Sequence, residues 1–238
     1  MNKVNEIKES MQELANPQKA QFMYKYFKAG KGEYGEGDLF LGLSVPEQRQ
    51  IAKEFYKKVE FDQLQILLDS PIHEHRLTAI FILVLQYEKS KDDCFRDNLV
   101  AFYLRNTQKM NNWDLVDSGC YKIIGHYAFH HQKEKIIFNL ANSDSLWEKR
   151  IAVVSTLYFI KKNSLDLPFE IIQENLFHSH DLMHKANGWM LREIGEKDEA
   201  KLKDFLDEYA PKLPRTTLRY AIEKLDPILR KYYMDLKE

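Results

Sequence analysis

Apolar residues recur at steps of three and four along most of the chain, the period of a helix with one buried face. The pattern predicts helices over 2–15, 17–29, 46–58, 61–69, 71–89, 92–106, 112–130, 132–141, 146–162, 168–177, 181–196, 199–209, 214–224 and 226–236. Start signals agree with several of these. Ser70–Pro71 reads as an N-cap followed by proline at the first helical position, and Ser143 and Asp181 read as caps of later helices. No stretch alternates with period two for long enough to predict a strand.

A register links these helices. Aligning "HEHRLTAIFIL", "NNWDLVDSGCY", "WEKRIAVVSTL" and "MHKANGWMLRE" by charged opening and apolar body puts Arg76, Trp113, Arg150 and Lys185 in one column, 37, 37 and 35 residues apart. A helix pair repeated about every 36 residues points to an all-α fold of the α-solenoid kind, one domain over 1–238 with a concave face. The tetratricopeptide signature is missing, so divergent HEAT-like repeats are the better match.

Composition narrows the classes. The chain has 238 residues, 44% hydrophobic and 30% charged, with 9 Gly and 7 Pro, a balance that suits helices better than a loop-rich β fold. A net charge of −1 does not advertise a nucleic-acid partner, although a neutral total can hide a basic face. "LTAIFILVL" (77–85) is far short of a membrane span, the N-terminus has no signal-peptide core, and Cys94 and Cys120 form no CxxC pair. These features predict a cytoplasmic protein with no membrane partner.

One segment breaks the helical rhythm. "AGKGEYGEGDLFLG" (29–42) holds five of the nine glycines. It lacks the Gly-Lys-Ser/Thr ending of a phosphate loop and the preceding strand of a dinucleotide fingerprint, which leaves a surface loop as the plain reading.

Four positions after the register column stand Ile80, Asp117, Val154 and Trp189. Asp117 is the acid where two neighbouring repeats carry aliphatic residues. A carboxylate in such a place is costly unless it is paired, hydrogen-bonded or turned into a cleft. Trp113 lies one turn before it, and the register draws Arg150, Trp189 and Arg192 towards the same surface. Indole faces stack on sugars and attract cations, a carboxylate stabilises positive charge on a sugar or orients a water, and guanidiniums clamp phosphates. The set suits hydrolysis of an N-glycosidic bond next to a phosphate. The same residues also fit a structural role, with Asp117 capping a helix or pairing with Arg150 and the indoles in the core.

In "WDLVD" (113–117), "WEKR" (147–150) and "GWMLRE" (188–193), in that order and spacing, the sequence resembles the HEAT-like-repeat DNA alkylation repair enzymes of the AlkD and AlkC type. "FLGLSVPEQRQIAKEF" (40–55) and "LPRTTLRYAIEKL" (213–225) extend the resemblance over nearly the whole chain. The resemblance implies excision of 3- and 7-methylated purines from double-stranded DNA by a monomer, without base flipping, metal or cofactor. It implies Asp117 as the catalytic carboxylate, Trp113 and Trp189 at the deoxyribose and backbone, Arg150 on a phosphate or the carboxylate, and Arg192 in support. The likeness departs at "GKGEYGEGD" (30–38), where the family grips DNA with an N-terminal helix; this implies a subgroup with that helix reduced or missing. Glu33, Glu36 and Asp38 would repel phosphates if they faced the groove. A non-catalytic binder of distorted DNA and a protein-interaction solenoid are the competing functions.

Two histidine pairs have chelating i,i+4 spacing, His126 with His130 and His180 with His184, but neither has the glutamate of HExxH. They read as structural or solvated. Cys120 reads as core, since no histidine is placed to activate it.

Overall fold

A computed structural model describes residues 3–236, so the helix start predicted at residue 2 lies outside the described residues. The fold is all-α, and among the described residues the only strand-like pairing is one isolated bridge between Leu39 and Ile72. The chain divides into two compact units, 1–119 and 120–238. Among the described residues, no helix is long and apolar enough to cross a membrane.

The first unit contains α1 (Lys3–Glu13), α2 (Pro17–Tyr26), α3 (Val45–Phe55), α4 (Phe61–Leu68), α5 (His73–Lys89), α6 (Asp93–Arg105) and the short α7 (Trp113–Asp117). α1 buries Val4, Ile7 and Met11, a stripe at helical spacing, and packs on α3 and α4. α5 is the central element. It is buried through its first three turns and receives α3 and α4. A helix apolar all round has no solvent face to offer, so its neighbours surround it.

The second unit contains a π turn (Tyr121–Gly125), α8 (His126–His131), α9 (Glu134–Ala141), α10 (Leu146–Ser155), α11 (Leu157–Lys161), α12 (Asp166–Glu174), α13 (Asp181–Gly195), α14 (Glu199–Tyr209), α15 (Arg215–Ala221) and α16 (Pro227–Asp235). α10 packs on α9, α13 on α10 and α15 on α13. Each layer buries the face of the next along the chain, the packing rule of helical repeats.

Most predicted helices are present, and the differences have physical causes. α5 begins at His73 rather than at Pro71 because Leu39 intervenes: its N–H donates to the Pro71 carbonyl at 2.9 Å and its carbonyl accepts from the His73 N–H at 2.8 Å. That bridge holds Ile72 extended, and the Ser70 hydroxyl accepts from the Ile72 N–H instead of capping a helix at Pro71. Ser145, not Ser143, caps α10 by accepting from the Glu148 N–H, while the Ser143 hydroxyl donates to the Glu148 carboxylate. His180, not Asp181, caps α13 by accepting from the Leu182 N–H.

The stretch 112–130, expected as one helix, is divided into α7, the π turn and α8. At Gly125 the backbone of α10 comes so close that an added Cβ would lie 2.3 Å from the Ser155 carbonyl oxygen. The stretch 146–162 is interrupted at Thr156, whose hydroxyl donates to the Val153 carbonyl at 2.6 Å and competes with the helical ladder.

Candidate functional site

α7 is barely more than one turn long, too short to hold itself, so its position is set by what grips it. Its N-cap is Asn112, fully buried. The Asn112 side-chain oxygen accepts from the Trp113 N–H at 3.0 Å, and its amide donates to the Phe27 carbonyl at 2.9 Å. The Phe27 ring in turn lies against Trp113, 5.6 Å between centroids, and Tyr26 meets the same indole edge-on at 6.1 Å. Trp113 and Asp117 are both partly exposed, and i,i+4 spacing places them on one face of α7. At the column four residues past the register, Ile80 and Val154 are fully buried, whereas Asp117 and Trp189 are partly open.

The buried charge lies beside Asp117 in sequence, at Asp114. The Asp114 carboxylate accepts from the Leu115 N–H at 2.9 Å and meets His73 Nε2 at 2.9 Å. His73 Nδ1 meets the Asp38 carboxylate at 3.0 Å, and Asp38 also pairs with Arg76 and accepts from the Asn111 amide at 2.9 Å. Burial alone pushes the Asp38 carboxyl up, but the hydrogen bonds from His73, Arg76 and Asn111 outweigh it and hold the carboxyl below the usual carboxylate range. Burial pushes His73 down. The charge and hydrogen bond of Asp114, with the hydrogen bond of Asp38, overcome that and raise it to about 9. The His73 ring also packs on Phe27 at 4.8 Å and Phe40 at 5.1 Å.

This corrects two expectations about residues 29–42. Asp38 does not face outward to repel phosphates; it is 3% exposed and neutralised by Arg76 and His73. The end of the segment is no surface loop either. The Leu41, Gly42 and Leu43 N–H groups all converge on the Glu74 carboxylate, which is fully buried. Gly42 has φ +87°, and a Cβ there would stand 2.2 Å from the Asn16 carbonyl oxygen, so only glycine lets the segment cross beneath the start of α2. α2 itself stands intact directly before the segment, buries none of its residues, and exposes Phe22 stacked on Tyr26.

In the second unit, α13 presents Trp189 and Arg192 one turn apart, both partly exposed, and each meets Glu193. The Trp189 indole N–H donates to Glu193 at 2.9 Å, and Arg192 pairs with Glu193 at 3.8 Å and with Glu223 in the turn after α15. Arg150 is 5% exposed and donates from Nη1 to the Leu182 carbonyl, so it braces the first turn of α13. The histidine pairs also have local work: His130 Nε2 meets the Tyr158 hydroxyl at 2.9 Å, His180 caps α13, and His184 donates to the His178 carbonyl. Cys120 is fully buried.

Sequence reasoning singled out Asp117 and missed Asp114, His73 and Asp38. The charged opening "HEHR" of an otherwise apolar helix was the available signal, since four polar residues at the head of a buried helix need partners.

The family model of DNA alkylation repair enzymes matches residues 7–225, a span that contains every candidate residue. No curated protein matches the chain. Among solved structures, the chain is similar to a predicted DNA alkylation repair enzyme from Enterococcus faecalis, at 22% identity and a TM-score of 0.72, covering 90% of this chain and 97% of that one. It is also similar to smu.31 from Streptococcus mutans UA159, at 17% identity and a TM-score of 0.56, covering 76% and 93% of the two chains. At these identities the two likenesses show the fold.

Proposed function

Because the chain belongs to the DNA alkylation repair enzyme family, we propose that it hydrolyses the N-glycosidic bond of N-alkylated purines, including 3- and 7-methylated bases, in double-stranded DNA. The observation that carries this reading is the pairing of Trp113 and Asp117 on one face of α7, both partly exposed, on a helix held by buried partners.

An N-alkylated purine is cationic and leaves without a strong acid, so the chemistry needs charge stabilisation more than protonation. As the bond lengthens, positive charge grows on the deoxyribose. Asp117 is the proposed catalytic carboxylate: it faces that charge and orients or deprotonates the water that attacks the sugar. The Trp113 face packs on the deoxyribose and favours its cationic form. Trp189 contacts the sugar–phosphate backbone. Arg192 reaches a phosphate from the same face of α13, with Glu193 and Glu223 fixing its direction. Arg150, buried on the Leu182 carbonyl, acts by holding the turn from which Trp189 and Arg192 project.

Incubating the protein with duplex DNA containing 7-methylguanine or 3-methyladenine should release the free methylated base and leave an abasic site. Affinity for the duplex without base release would favour a non-catalytic DNA-binding protein.

A further inference from the structure

The buried charge at the head of α5 bears on the reaction, an inference that rests on the glycosylase reading. His73 shows one ring nitrogen to each of two carboxylates, Asp38 at 3.0 Å and Asp114 at 2.9 Å. A neutral imidazole has a proton on one nitrogen only, so one of these contacts would set a ring lone pair against a carboxylate. Both are favourable only for the imidazolium.

The groups around the ring are not equivalent. From the segment before α3 comes Asp38, which Arg76 of α5 also neutralises. From α7 comes Asp114, which has no other cation among the described residues. Glu74, next to His73 on α5, is turned away onto the N–H groups of residues 41–43. Phe27 and Phe40 cover the ring from the end of α2 and from the segment. Loss of the proton from His73 therefore leaves Asp38 paired and Asp114 stranded. Asp114 is the side chain that ties the first turn of α7 to α5, through the Leu115 N–H on one oxygen and His73 on the other.

We propose that His73, as the imidazolium, is a positioning residue: it pins Asp114 and so sets the one-turn helix that carries Trp113 and Asp117. The neighbouring ring contacts transmit the same constraint, since Phe27 touches both His73 and Trp113.

The test uses the full chain. In a form with Trp147→Phe and Trp189→Phe, leaving Trp113 as the only indole, Trp113 fluorescence should show an alkaline inflection near pH 9. The inflection should be absent in His73→Gln. In otherwise unaltered protein, His73→Gln should slow methylated-base release at saturating DNA by ~10- to 100-fold, the cost of a misplaced catalytic group, with affinity for undamaged duplex changed less than about threefold, since no phosphate contact is removed. ¹⁵N NMR of the wild type at pH 7.5 should show one histidine protonated on both nitrogens, lost in His73→Gln. If His73→Gln does not fold, Asp114→Asn replaces it and should move the inflection down toward the ordinary histidine range. A folded variant with wild-type release and a wild-type Trp113 titration overturns the inference. A wild type that releases no base overturns the glycosylase reading instead, and the Trp113 titration still judges the clamp.

Discussion

Asp117 and Asp114 sit three residues apart and differ in exposure. Asp114 is buried and spoken for by His73 and the Leu115 N–H, while Asp117 ends the helix partly open to solvent. Only the second was legible in the sequence, because a register column compares positions that are equivalent in successive repeats. The partner that Asp38 and Asp114 share, His73, stands 35 and 41 residues away from them and outside the column. Asn112 likewise reads as an ordinary cap, yet it also reaches Phe27 across 85 residues. Replacing it with alanine removes the cap and leaves the Phe27 carbonyl buried without that donor. Asn112→Ala should lower unfolding free energy by about 1–2 kcal/mol in urea titration. A loss under about 0.5 kcal/mol, the range of a neutral surface change, would contradict the role given to it.

At the scale of elements, periodicity placed nearly every helix, and its failures share one cause. Residues 71–72, the 112–130 stretch and residue 156 carry helical composition but are drawn off by a contact or a competing hydrogen bond that no local pattern encodes: the Leu39 bridge, the close approach at Gly125 and the Thr156 hydroxyl. The first turn of α5 makes a prediction of its own. Burial depresses His75, beside Ser70, to about 4, with Lys8 adding to the effect, while His73 is raised to about 9. Below pH 6.5 the unfolded chain takes up a proton at His75 that the folded chain refuses, so stability falls as pH drops from 6.5 towards 4. Above pH 6.5 the folded chain keeps a proton on His73 that the unfolded chain has lost, so stability falls as pH rises through 9. Melting temperature should therefore peak near pH 6.5. His73→Gln should flatten the alkaline side and His75→Gln the acid side. An unchanged profile in both variants would refute the assignment.

For the whole molecule, membership of the DNA alkylation repair family sets the partner, and a net charge of −1 sets the difficulty. A nearly neutral protein holds duplex DNA only through local cations, and each phosphate contact releases counterions. Affinity should fall by roughly tenfold or more between 50 and 200 mM salt if two or more phosphates are engaged. Binding that is flat across this range would point to a protein-interaction role. The family resemblance was readable because three short motifs keep their order and spacing. The inward turn of Asp38 was not, because glycine and acid content alone describe a loop and not the histidine and arginine it meets.

The central claim is that Asp117 carries out base excision. Single-turnover release of 7-methylguanine from duplex DNA, measured for the wild type and Asp117→Asn with duplex affinity recorded alongside, tests it most directly. The account predicts clear release by the wild type and a loss of at least about 100-fold in the variant, the scale of removing a group that stabilises transition-state charge, with duplex affinity kept. No release above background from the wild type, or full release from Asp117→Asn, would contradict it.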